Sequence, residues 1–107
     1  MRARSCMVAA VMMLPMTLGQ AEAQEIGEAS RGHIVAQRLC AECHAIEEQD
    51  RGSPNANAPR FQAIAAIPGM TAMALSAALN TSHKSMPNIL LTADEQADII
   101  AYVLNLK

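Results

Sequence analysis

The sequence predicts a small all-α domain, and three observations carry that expectation. The segment opened by Thr92-Ala93-Asp94-Glu95, a capping box, places Ile99, Tyr102, Val103 and Leu106 at i, i+3, i+4 and i+7. Two further apolar segments, near residues 30–39 and 72–80, each follow a residue able to cap a helix. No stretch alternates apolar and polar residues as a half-buried strand does, and there is no internal repeat or low-complexity tract.

Taken in order, the chain begins with a segment that does not belong to the fold. Arg2 and Arg4 precede an apolar run from Met7 to Leu18, and Ala21-Glu22-Ala23 offers small residues for cleavage after Ala23. This is a secretory signal pattern over residues 1–23. The run is shorter than the roughly 20 residues of a membrane span, so no integral span is expected after cleavage. Cys6 leaves with the signal. Residues 24–29 read as a flexible leader, and the domain as residues 30–107.

Ser30 is expected to cap a first helix through Leu39, with Ile34, Val35, Ala36 and Leu39 as its apolar positions. Gly32 interrupts it at a cost of about 1 kcal/mol against Ala, the mark of a close packing contact. Residues 47–59 are loop, because Arg51-Gly52-Ser53-Pro54-Asn55 and Ala58-Pro59 are turn signals. Phe61 to Ile67 forms a short helix that Pro68-Gly69 ends. Thr71 caps another over Ala72 to Asn80, with Leu75, Ala78 and Leu79 on one face. A loop over residues 81–91 contains Met86-Pro87 and leads to the last helix.

Composition bounds what this domain does. Removing residues 1–23 leaves 84 residues with six basic and nine acidic side chains, a formal charge of −3. Neither nucleic acid nor an anionic membrane is favoured as a partner by that balance. Glu42, Glu47, Glu48 and Asp50 cluster in what reads first as a solvated turn and second as a docking patch for a basic partner. Phe61 and Tyr102 are the only aromatic residues, and there is no Trp. A domain of this size buries about two-thirds of its surface, so its many alanines make a thin core that a large apolar group would fill.

The chemistry lies at Cys40-Ala41-Glu42-Cys43-His44. Two thiols three residues apart add to the two vinyl groups of one haem, and the adjacent histidine is carried to the iron as an axial ligand. A thioredoxin-like redox pair needs alternating strands and helices, which the sequence lacks. A structural zinc site needs four ligands, with His33 and His83 the only other good candidates. A plain disulfide leaves His44 without a purpose. The second axial ligand comes from Met70, Met73, Met86, His33 or His83. Met70 and Met73 read as core filler, His33 as solvent-facing, and His83 as exposed or locally bonded. Met86 differs: it lies in a loop, is stiffened by Pro87, and stands 42 residues after His44, enough to return from the opposite face. Paired His and Met ligands close the iron and raise its potential, which suits electron transfer.

Gly32 eight residues before Cys40, the Cys-Ala-Glu-Cys-His run, Ala58-Pro59-Arg60-Phe61, Met86-Pro87, and Leu91-Thr92 leading to Asp98-Ile99-Ile100-Ala101-Tyr102 together resemble the small class I bacterial cytochromes c. The resemblance covers residues 30–107. It implies a cytochrome c-like fold of three to four short helices around one haem c, attached through Cys40 and Cys43, with the terminal helices in contact through Gly32 and Tyr102. It also implies a proline carbonyl that accepts the N–H of His44, with Pro59 the better match and Pro54 the runner-up. Two features depart from the family. Val35 and Ala36 stand where the first helix often carries an aromatic, and no Trp or Tyr serves the haem propionates, leaving Arg60, Ser85 or Asn88 as donors.

The function expected is a periplasmic electron carrier, not an enzyme, working between a donor such as a dehydrogenase and a terminal acceptor. Its partners would be redox proteins, with the chain monomeric or associated with an enzyme. The alternative is a ligand-binding or sensor cytochrome in which Met86 is labile at the iron or absent from it.

Overall fold

A computed structural model describes residues 27–81, 83 and 85–107. The expected signal segment, Cys6 and residues 24–26 of the expected leader lie outside them, while residues 27–29 are described and lead into the first helix. Four helices follow in order: α1 Ala29–Leu39, α2 Phe61–Ala65, α3 Ala72–Leu79 and α4 Ala93–Leu104. Among the described residues there is no strand, only an isolated antiparallel bridge between His83 and Met86. The domain is all-α, as its periodicity predicts.

The last helix, α4, organises the others. Its capping box is complete: Thr92 Oγ1 accepts from the Glu95 amide at 3.1 Å, and the Glu95 carboxylate accepts from the Thr92 amide at 3.0 Å. Asp98, Ile99, Ile100, Tyr102 and Val103 are all buried. So wide a buried face means that α4 is packed on more than one side, and α1, α2 and α3 each contact it.

The start of α1 differs from the expected one. Glu28, not Ser30, is the cap; its carboxylate accepts from the Ser30 amide at 3.0 Å, and the Ser30 hydroxyl donates to the same group. A carboxylate both bonds the free amides of the first turn and is attracted by the positive end of the helix, so it outcompetes the neutral hydroxyl. Ala29 is thus the first helical residue.

Backbone contact joins α1 to α4. A Cβ built on Gly32 would stand 1.9 Å from the Asp98 carbonyl oxygen and 2.9 Å from the Tyr102 Cβ. Only a glycine lets the two helices come this close. One on Gly27 would meet the Ala97 carbonyl oxygen at 1.9 Å. Asp98 ties the same junction: it accepts from the Glu28 amide at 2.6 Å and from Arg31 Nε and Nη2 at 2.9 and 3.1 Å. The Arg31 guanidinium, then the Glu28 amide, hold the Asp98 carboxyl below the usual carboxylate range.

The short helices are trimmed relative to expectation. α2 stops at Ala65, two residues early, and the chain turns at Gly69 with φ 76°. α3 is capped by Thr71, whose hydroxyl accepts from the Ala74 amide at 3.2 Å. Gln96 fastens it to α4 through Ser76 Oγ at 2.8 Å and Asn80 Nδ2 at 3.0 Å. Met70 packs against the core, but Met73 is 82% exposed and is not core filler. It precedes the buried Leu75 by two residues, about 200° around a helix, so the two point to opposite sides.

Candidate functional site

Where α1 ends, the chain closes a tight coil that groups three reactive side chains. The Cys40 amide donates to the Ala36 carbonyl at 2.8 Å, and the Cys43 and His44 amides both donate to the Cys40 carbonyl, at 3.1 and 2.9 Å. Cys40 is buried, while Cys43 and His44 are half-buried. No disulfide joins Cys40 to Cys43. Burial pushes the Cys40 thiol up from its ordinary value, the opposite of what a reactive redox pair requires.

The loop after the coil folds back and clamps it. The Ala45 amide donates to Ser53 Oγ at 3.0 Å, the Phe61 amide to the Ala45 carbonyl at 2.9 Å, and the Asn55 amide to the Cys43 carbonyl at 3.1 Å. His44 Nδ1 lies 2.6 Å from the Pro59 carbonyl oxygen. A carbonyl only accepts, so Nδ1 carries the proton and Nε2 keeps the lone pair with which an imidazole binds metal. Of the two prolines considered, Pro59 meets His44; Pro54 stands in the exposed turn. The Phe61 ring backs the imidazole at 5.5 Å between centroids. Ser53 escaped the sequence reading because its residue type marked only a turn.

His33 is not solvent-facing as expected. Its Nε2 lies 2.6 Å from a Glu47 carboxylate oxygen, and its ring sits 5.0 Å from that of Tyr102. Glu47 comes from the loop beyond the haem-type motif, a contact that helix periodicity does not encode. Tyr102 donates to the Ile46 carbonyl at 2.7 Å; burial, then the nearby Glu47 charge, pushes its phenol up to about 12. The acidic group is therefore divided. Glu47 is engaged and Asp50 accepts from the Glu47 amide at 3.1 Å, while Glu42 and Glu48 are exposed. Arg60 donates to the Asp50 carbonyl at 2.7 Å and to Gln62 at 2.8 Å.

A cleft opens on the side of Cys40 nearest the loop after α3. Cys40, Leu79, His83, Met86, Ile89 and Leu91 are among the residues that border it, as is Asn88. Met86 is half-buried, and its amide closes a turn onto the His83 carbonyl at 3.2 Å. Ser85, in the left-handed region at φ 70°, tightens that turn. Leu79, Ile89 and Leu91, with a cysteine and a thioether beside them, fit the apolar body of a haem tethered at Cys40 and Cys43, and Thr81, His83 and Asn88 add polar groups to the border. Among the described residues no three His, Cys, Asp or Glu side chains converge as a closed cation site requires.

Comparison with known proteins gives one consistent family. The model of the cytochrome c family matches residues 29–107. A cytochrome c-552 from Bradyrhizobium diazoefficiens is 31% identical over 80 residues, covering 75% of this chain and 76% of the relative. No solved structure matches the chain.

Proposed function

The chain belongs to the cytochrome c family, and from that premise we propose that it is a periplasmic electron carrier working between a donor such as a dehydrogenase and a terminal acceptor. Haem c, attached through Cys40 and Cys43, is the family's cofactor, and carrying electrons on it is the family's activity. The bound haem supplies the one-electron ferric/ferrous couple.

The chain's own residues do the rest. His44 offers Nε2 to the iron, and its Nδ1–H bond to the Pro59 carbonyl fixes the ring and strengthens it as a donor. Met86 would serve as the second ligand, and a thioether in that position would raise the potential and leave no open site for oxygen chemistry. Leu79, Ile89 and Leu91 give the cleft apolar sides that would shield a bound haem from water. The observation that carries this assignment is that Met86 and Cys40 border the same cleft, although they stand 46 positions apart in the chain.

The export pattern in residues 1–23 supports a periplasmic location, and among the described residues no helix is long and apolar enough to cross a membrane. Redox proteins are the partners proposed, with the chain monomeric or held by one enzyme as a dedicated subunit.

The ferric absorption spectrum tests the ligand assignment. A weak far-red band from sulfur-to-iron ligation should be present and should vanish in Met86→Ala. A protein without that band, which binds carbon monoxide rapidly once reduced, is a ligand-binding cytochrome and not this carrier.

A further inference from the structure

We propose that His83 is a reserve distal ligand, held beside Met86 and taking its place on the haem iron when the thioether leaves. The proposal rests on Met86 being the resident ligand. In the exchange an iron–sulfur bond breaks and an iron–nitrogen bond forms, with no electron transferred.

Three observations place His83 for this role. First, His83 and Met86 are partners in an antiparallel bridge. Residues paired in that way project from the same side, with Cβ atoms about 4.5–5.5 Å apart. Second, both border the cleft that Cys40 also borders. Third, only two residues separate them, and the tight turn through Ser85 at φ 70° holds them side by side. Exchange therefore needs a local shift of one turn and leaves the helices in place.

The chemistry agrees with the placement. Imidazole is a good ligand for iron, and a histidine in place of Met86 removes the rise in potential that a thioether gives. The protein would thus have a lower-potential state available when Met86 is displaced. His33 does not compete for this role, because its Nε2 is engaged by Glu47 and its ring lies against Tyr102. His83 is exposed; a loop histidine with no role at the iron is the alternative, and it predicts no ligation at all.

The test uses purified haem-loaded protein and reads the ferric spin state by absorption and electron paramagnetic resonance. Unmodified protein should show the far-red sulfur band; its absence there refutes Met86 as resident ligand, whatever His83 does. Met86→Ala should stay low-spin with the signature of two nitrogen ligands and a lowered reduction potential. Met86→Ala combined with His83→Asn should become high-spin, and His83→Asn alone should keep the sulfur band. A high-spin Met86→Ala protein, a double variant that stays low-spin, or loss of the band in His83→Asn alone overturns the proposal. Met86→Leu, which keeps an apolar side chain in the cleft, repeats the comparison should Met86→Ala lose its helical circular dichroism.

Discussion

At Gly32 two opposing effects of one methyl group are easily weighed. Alanine is the better helix former by about 1 kcal/mol, so an exposed position would gain from the change. Here the added carbon meets the Asp98 carbonyl at 1.9 Å. No rotamer change relieves a contact with backbone, and overpacking of this kind costs about 1–3 kcal/mol, sometimes more. Gly32→Ala should therefore lower stability by up to about 2 kcal/mol net, seen as a lower denaturant midpoint of the haem-loaded protein. Gly52 is the control, since a Cβ there has nothing within 4 Å; Gly52→Ala should leave the midpoint nearly unchanged. Equal effects at the two positions would remove the packing explanation. Ser53 offers a second case: Ser53→Ala strips the Ala45 amide of its acceptor and should cost about 1–3 kcal/mol if the amide stays dry. Gly32 was legible because it breaks helical propensity inside a helix. Ser53 was not, because nothing local says that a turn hydroxyl will reach an amide eight residues back.

Between elements, the junction of α1 and α4 turns on one buried carboxylate. Asp98 is 5% exposed and gathers the Glu28 amide and the Arg31 guanidinium. Its pKa is depressed in the folded state. A depressed carboxylate contributes stability at pH above its unfolded value, about 3.9, and that contribution is lost as pH falls through the folded value. Glu95 is lowered too, first by the Thr92 amide and then by Arg38, so it adds to the same acid limb. Asp98→Asn should cost about 1–3 kcal/mol at neutral pH, and the gap from the unmodified protein should close in acid. Denaturation midpoints taken from pH 7 down to pH 2 measure both; a gap constant across that range would mean that charge plays no part. Local signals explain why α4 was read correctly and α1 was not. A capping box is a pattern of two matched residues. At the start of α1, by contrast, a carboxylate and a hydroxyl two residues apart both suit the cap, and the Glu28 amide is further anchored by Asp98, 70 positions away. In α3 the misjudged residue was Met73, because a short, alanine-rich helix gives its apolar stripe little contrast. At the site, the coil at residues 40–44 was legible from spacing alone. The His33–Glu47 pair was not, because it forms only when the loop after the motif folds back on α1.

For the molecule as a whole, the question is whether these side chains hold the fold without the cofactor. Among the described residues the most deeply buried are Ala36 at 0%, Ala65 at 2% and Ile99 at 2%, so two of the three are alanines. An alanine at the centre contributes one methyl where a leucine contributes several buried carbons, at about 0.8 kcal/mol for each CH₂. Both aromatic residues, Phe61 and Tyr102, are already in the core at 5% and 9% exposure. The helices α1, α2 and α3 meet α4, but the wall facing the Met86 loop is a cleft. Conformational entropy opposes folding by about 1–2 kcal/mol per residue, and net stabilities are only about 5–15 kcal/mol. A missing block of apolar contact is then enough to unfold the chain. The haem is that block, and because it binds the folded form it stabilises the fold as any tightly held ligand does. Cys40→Ser/Cys43→Ser protein, purified without haem, should have lost most of its helical circular dichroism and should show no cooperative thermal transition. A haem-free variant that melts cooperatively near the temperature of the loaded protein would mean that α1 and α4, with Asp98 and Gly32 between them, are a sufficient core. The cleft would then be only a binding surface on a finished fold.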